Sequence, residues 1–183
     1  MFRSAAAILV CCALGRAGAE PVRRLELGAR IGVQSTALNY DDDAPRGDGA
    51  FFDTSVGWRI VPWLSVSVYA ALSSIHDEYT DPFMGPTHDA RVRFIEVGPR
   101  ISVHLRGLFA GFGVASNHLR TTTASGVIWE DGLLREIHAG YTSPRIRALG
   151  GIAFQVFFMK TTASTAYPGE SIDSTRVAIG VEM

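Results

Sequence analysis

Alternation of period two governs almost every segment of this chain, and the polar register of that alternation mixes charges with glycines. The segment 64–73 shows it most cleanly. Leu64, Val66, Val68, Ala70 and Leu72 fall on one side, and Ser65, Ser67, Tyr69, Ala71 and Ser73 on the other. A period of two gives a β-strand one residue per face in turn. A face that merely meets water has no use for glycines, which weaken a strand unless something crowds the backbone. A closed lumen of eight strands is just wide enough for side chains to fill it, so long arginines and glutamates inside one require glycine gaps opposite them. The pattern therefore predicts a membrane β-barrel with a filled interior.

Eight strands are predicted, over 24–38, 50–60, 64–76, 92–105, 108–120, 133–142, 146–161 and 174–183. Their apolar register reads Leu25, Leu27, Ile31, Val33; Phe52, Val56, Trp58, Ile60; Ile95, Val97, Ile101, Val103; and Leu108, Ala110, Phe112, Val114. It continues through Ile137, Ala139, Tyr141; Ile152, Phe154, Val156, Phe158; and Val177, Ile179, Val181. Val61-Pro62, Arg106-Gly107 and Ser143-Pro144 mark three minimal turns, and the other connections are expected to be polar loops of roughly ten residues or more. Short turns at one end and long loops at the other are the habit of outer-membrane barrels. Trp58 and Trp63 beside the first turn, with Tyr141 at a comparable height, fit an interfacial aromatic girdle. The fold class expected is all-β, an eight-stranded antiparallel up-and-down transmembrane barrel.

The first residues read as a secretory signal peptide: Arg3, an apolar block from Ala5 to Leu14, and the small-x-small run Ala17-Gly18-Ala19 before Glu20. Its apolar core of about ten residues is too short to span a bilayer as a helix. The expectation is a signal over 1–19, cleaved after Ala19, and one barrel domain over 20–183. Both cysteines, Cys11 and Cys12, fall inside the signal. The exported chain then has no disulfide, thiol nucleophile or thiolate metal site. After the signal no apolar run reaches 18 residues, so a membrane span has to be built from strands. A formal net charge of −1 gives no general attraction to nucleic acid.

With strands, turns and parity placed, the chain resembles the eight-stranded outer membrane proteins of the OmpA and OmpX type over nearly its whole length. The segments that carry the likeness are Gly57-Trp58-Arg59-Ile60-Val61-Pro62-Trp63-Leu64-Ser65-Val66 and Leu108-Phe109-Ala110-Gly111-Phe112-Gly113. The resemblance implies both termini in the periplasm of a Gram-negative cell and long loops outside it. It also implies delivery to the outer-membrane insertion machinery. It implies no single activity, since its members include anchors, adhesion proteins and lipid-modifying enzymes. Two departures stand out. The chain finishes Val181-Glu182-Met183 without the usual terminal aromatic, and Pro99 falls inside strand four, where a bulge is expected to absorb the lost hydrogen bond.

Two candidate sites follow. Arg30, Asp53, Arg59, Glu96, Arg100, Glu136, Arg147, Arg176 and Glu182 share the inward register and are expected to pair as a lumen charge network. Arg91, Arg93, His118, Arg120, Arg135 and Lys160 share the outward register at the outer ends of four consecutive strands. There their cations would meet lipopolysaccharide phosphates, with ordinary rim charge as the competing reading. The acidic loops, with Asp41, Asp42, Asp43, Asp48, Asp77, Glu78, Asp81, Glu130, Asp131, Glu170 and Asp173, carry no EF-hand spacing, so no metal site is expected. Ser116-Asn117-His118 is similar to the serine-asparagine pair of lipid A deacylases, but their histidine two residues before the serine is Val114 here. No catalytic residue and no cofactor is therefore expected. The function expected is structural or interactive, in a monomer with outer membrane lipids, lipopolysaccharide and an unidentified extracellular ligand as partners. A lipid A-modifying hydrolase and a soluble, secreted, lipocalin-like binding barrel remain as alternatives.

Overall fold

A computed structural model describes residues 25–39, 46–79, 88–123, 126–164 and 171–183. The segment 1–19 expected to be a signal peptide, and Asp41, Asp42, Asp43, Asp81 and Glu170, lie outside them. Eight strands follow in order: β1 Leu25–Asn39, β2 Arg46–Val61, β3 Leu64–Tyr79, β4 His88–Leu105, β5 Leu108–Thr123, β6 Gly126–Thr142, β7 Ala153–Ser164 and β8 Ser171–Glu182. Each is antiparallel to its neighbours, and β1 pairs with β8, so the sheet closes into a barrel with sequential strand order.

The register fixes the shape of the barrel. Stepping across direct partners from Leu25 leads through Trp58, Val66, Ile101, Phe112, Ile137, Lys160 and Thr175 to Ser35, ten positions beyond the start on β1. With strands about 4.8 Å apart and about 3.3 Å per residue, that stagger over eight strands tilts them by roughly 41° and sets a backbone radius of about 8 Å. Only side chains fit inside. Their placement follows the parity: Ile31, Ile137 and Ile179 are more than 60% exposed on the outer wall, whereas Asp53 and Glu96 are fully buried. The bulky aliphatic face is outside, the reverse of a soluble ligand-binding barrel.

Glycines make room where arginines cross the lumen. A Cβ on Gly180 would lie 2.6 Å from Arg30 Cγ, and one on Gly113 would lie 3.0 Å from Arg100 Cγ. Arg106 and Gly107, at φ 49° and 87°, form a two-residue hairpin turn of the left-handed kind that matches strand twist.

The structure corrects several boundaries. Most strands run further toward the loop end than their apolar alternation suggests, since Glu130, Asp131 and Gly132 still pair with Leu119, His118 and Asn117. Only residues 124–125 separate β5 from β6, so that connection is short. At the opposite end, the connection after β6 is not minimal. A 3₁₀ turn at Arg147–Leu149 and two left-handed glycines, Gly150 and Gly151, delay β7 until Ala153. No bulge surrounds Pro99. The register between β4 and β5 is the same on both sides of it, Val97↔Ser116 and Arg100↔Gly113, and Gly98 lets the Val114 carbonyl approach closely.

Candidate functional site

The lumen is layered, and its charges occupy the half nearer the hairpin turns. Arg30 donates from Nη1 to Asp53 Oδ1 at 2.6 Å, and the other oxygen of Asp53 lies 2.6 Å from Arg100 Nη1. Arg100 Nε donates to Glu136 Oε1 at 2.6 Å. That same oxygen lies 2.7 Å from His138 Nδ1. From Arg30, the chain of contacts continues toward the turns through Gln155, which bonds Glu182 at 2.7 Å, and Glu182 meets Arg145 at 3.1 Å. Arg59 pairs separately with Glu26 at 2.6 Å. Deeper in, Arg176 binds both oxygens of Glu96, with all four groups' side chains at or below 2% exposure in the Arg176–Glu96 and Arg100–Glu136 pairs. Arginine planes lie over aromatic faces, Arg100 at 3.5 Å from the Tyr69 centroid and Arg30 at 4.6 Å from that of Phe157.

Of the nine residues expected in this network, Arg147 is not in it. It sits exposed in the 3₁₀ turn, because β7 begins at Ala153, seven residues later than its alternating apolar residues imply. Arg145 takes the corresponding role beside Glu182, and Glu26 and Gln155 join the network from the same inward register.

Toward the loop end an apolar cluster fills much of the lumen, beside buried polar side chains that include Gln34, Thr36, Asn117 and Ser174. Tyr69, Ala71, Ile75, Val92, Phe94, Ala115, Leu119, Leu134, Ala163 and Ile172 form one buried cluster. Sequence reasoning missed it, although parity carried inward from Tyr69 and Ala71 leads straight to Ile75 on the same face.

Two serine–histidine contacts lie near the turn end: Ser65 Oγ to His104 Nε2 at 2.7 Å and Ser102 Oγ to His138 Nε2 at 2.8 Å. Ser65 and Ser102 are direct partners across β3 and β4. With Glu136 behind His138, the second contact has the order of a nucleophile, base and orienting carboxylate. The chamber beside it measures only about 40 Å³, the scale of a few water molecules. An ester substrate does not fit there. A separate concavity of about 330 Å³, lined by Arg59, Arg106, Arg145, His104 and Glu182, opens at the turn end.

The six outward cations do not gather into one patch. Arg93 pairs directly with Arg120, and Arg91 lies two residues further along β4. His118 is the outward neighbour of Arg120 and contacts Asp131 Oδ1 at 2.5 Å. Arg120 lies over the Trp129 ring at 5.3 Å. Arg135, however, is opposite Val114, six residues from Arg120, because β6 extends to Gly126 and leaves Arg135 well inside the strand. Lys160, opposite Ile137, belongs with Arg135 rather than with the others. Among the described residues no group of three or more histidines, cysteines or carboxylates is arranged to hold a metal ion.

No protein-family model matches the sequence, and no curated protein is detectably similar to it. Solved structures are similar in fold. Neisserial surface protein A superposes with a TM-score of 0.60 at 10% identity, over 90% of this chain and 99% of that one. Ail, the attachment invasion locus protein of Yersinia pestis, in complex with the heparin analogue sucrose octasulfate, superposes with a TM-score of 0.57 at 11% identity, over 87% of this chain and 99% of Ail. The chain thus has the fold of an eight-stranded outer membrane barrel.

Proposed function

We propose that this protein is a monomeric barrel of the Gram-negative outer membrane, exported by a cleaved signal. On this reading its lumen is plugged, its turn end faces the periplasm, and it acts at the cell surface through its loop end. The observation that carries this reading is the parity: paired charges inside and a belt of exposed aliphatic and aromatic side chains outside, on strands of 12 to 18 residues. About 9–11 tilted residues suffice to cross a bilayer, so the strands of this length reach beyond it toward the loops. Above that belt, Arg91, Arg93 and Arg120 form a cationic rim suited to lipopolysaccharide phosphates, with His118 beside it and Arg135 and Lys160 lower on the wall. The unidentified extracellular ligand and the insertion machinery are the partners this reading supplies.

The test is heat modifiability with cell fractionation. A faster unboiled band in the outer-membrane fraction is expected; a single mobility in the soluble fraction would reject the reading. The rim is tested separately, by lipopolysaccharide retained after mild detergent extraction of an Arg93→Ala/Arg120→Ala variant, and unchanged retention would remove the rim from the proposal.

One observation favours a lipid-modifying hydrolase as a second reading. His118 and Asp131 touch on the outer wall, and Ser116 is the next outward residue of the same strand. Against it, Ser116 is paired on both sides, with Val97 and Leu133, which leaves little free backbone to stabilise an oxyanion. A mass change in lipid A that a Ser116→Ala substitution abolishes would establish this second reading.

A further inference from the structure

Two concavities on the outer wall join into one trough. The larger, of about 580 Å³, is lined by residues that include Leu108, Ala110, Ala139, Tyr141 and Phe158. The smaller, of about 330 Å³, continues from Ala139 and Phe158 to Ile137, Lys160 and Thr175. The cause lies in the register. Ala110 is the direct partner of Ala139, so two methyl groups stand side by side where the flanking rows carry Leu108 with Tyr141 and Phe112 with Ile137. The upper end of the trough is cationic. Lys160 pairs with Ile137, and Arg135 is the next outward residue on β6, which makes the two cations diagonal neighbours. Both are exposed, and among the described residues neither side chain has a carboxylate partner.

The dimensions match one leaflet. Arg135 and Ala139 are four residues apart, which at the barrel's tilt is about 10 Å along its axis. Half of an apolar band about 25 Å tall is of similar depth. A lipid phosphate held by Arg135 and Lys160 would therefore place its chain terminus over the Ala110 and Ala139 row.

We infer that this trough and its two cations are a specific site for one acyl chain of a phosphate-bearing lipid of the outer leaflet. Arg135 and Lys160 bind the phosphate, and the alanine row receives the chain. The inference rests on the outer-membrane reading above, and it separates this pair from the rim formed by Arg93 and Arg120. Guanidinium supplies a two-pronged grip on phosphate oxygens, and the ammonium adds a point charge beside it. The small side chains supply shape, since packing rather than hydrophobic transfer distinguishes one lipid contact from another inside a bilayer.

The experiment is native mass spectrometry of the full chain, extracted from the outer membrane in mild detergent and titrated with bisphosphorylated lipid A or with its phosphate-free counterpart. One retained lipid A is expected, with at least tenfold weaker retention in Arg135→Ala/Lys160→Ala and in Ala139→Phe, which fills the trough. Val68→Ala, an exposed outer-wall residue on β3 away from the trough, should bind as the unaltered protein does, and the phosphate-free lipid should bind no variant tightly. Retention unaffected by Ala139→Phe, or equal for the two lipids, would overturn the site. Loss confined to Arg93→Ala/Arg120→Ala would overturn it in favour of the rim. An unaltered protein that shows no heat-modifiable band would instead refute the outer-membrane reading itself, and the unboiled band of each variant reports that it has folded.

Discussion

Substituting Glu96 by Gln offers a direct measurement of how dry the lumen is. Arg176 and Glu96 meet through two contacts, both side chains are about 1% exposed, and no second carboxylate among the described residues pairs with Arg176. Its other contacts include Met159 Sδ at 3.8 Å and the Phe51 ring at 5.4 Å, neither of which balances a charge, and the nearby Glu136 is already paired with Arg100. Glutamine keeps the volume and one acceptor but leaves the guanidinium without a counterion. Breaking a buried pair from one side costs about 3–5 kcal/mol. At about 1.4 kcal/mol per tenfold change, that is a loss of roughly a hundred- to a few-thousand-fold in the folded-to-unfolded ratio. Removing both charges, as Glu96→Leu/Arg176→Met, should be close to neutral or stabilising by about 1–4 kcal/mol, because desolvation of the two ions disappears with their attraction. The assay is urea unfolding and refolding in lipid vesicles, read by the unboiled gel band. A single Glu96→Gln substitution costing less than about 1 kcal/mol would refute the reasoning, since only a hydrated guanidinium tolerates it. So would a double variant as damaging as the single one.

Position within the lumen should grade the other carboxylates. Asp53→Asn, which withdraws the anion from both Arg30 and Arg100, should destabilise by more than Glu26→Gln at the partly exposed turn end, in the same urea assay. Gly98→Ala should destabilise by about 1–3 kcal/mol, because the new methyl would lie 2.0 Å from the Val114 carbonyl oxygen and the two backbones would have to separate; a wild-type urea midpoint would show that the backbone can yield. Tryptophan depth tests the orientation: Trp58 and Trp63, beside the first turn, should be quenched by lipid-borne quenchers placed near the headgroups. Trp129, opposite Arg120 near the loop end, should respond to aqueous iodide, and single-tryptophan variants behaving in the opposite way would displace the membrane belt.

Much of this architecture was legible because the parity rule tolerates no drift. A slip of one residue exchanges inside for outside, so Leu25, Val56, Ile101 and Phe112 fix their strands over the whole belt. The rule loses force beyond the aliphatic belt. Beyond Leu133, β6 carries Gly132, Asp131 and Glu130, whose composition resembles a loop, yet the ladder to β5 holds them extended. The error at Arg147 has the opposite origin. Ile146 and Ile152 continue an even apolar spacing, but Gly150 and Gly151 between them adopt left-handed backbone, and that glycine pair was the available signal for a turn. The pairing of particular charges was not legible, because it depends on which strands face one another across the lumen. Glu96 on β4 reaching Arg176 on β8 follows from closure and stagger, not from either strand alone. The separation of Arg135 and Lys160 from the other outward cations has the same cause.

The apolar cluster at the loop end gives the barrel two independent supports. Near the turns, strands are tied by ion pairs, several of them reaching across the lumen; near the loops they are tied by an interior of the kind a small water-soluble barrel possesses, from Ile75 and Phe94 to Leu134 and Ile172. That upper portion does not depend on lipid for its coherence. On the outer-membrane reading, loop sequences can therefore diverge, lengthen or be exchanged with little consequence for anchorage. Such a molecule is suited to presenting variable surface segments from an invariant stem, and its upper rim is the natural place to graft foreign peptides for display on a cell.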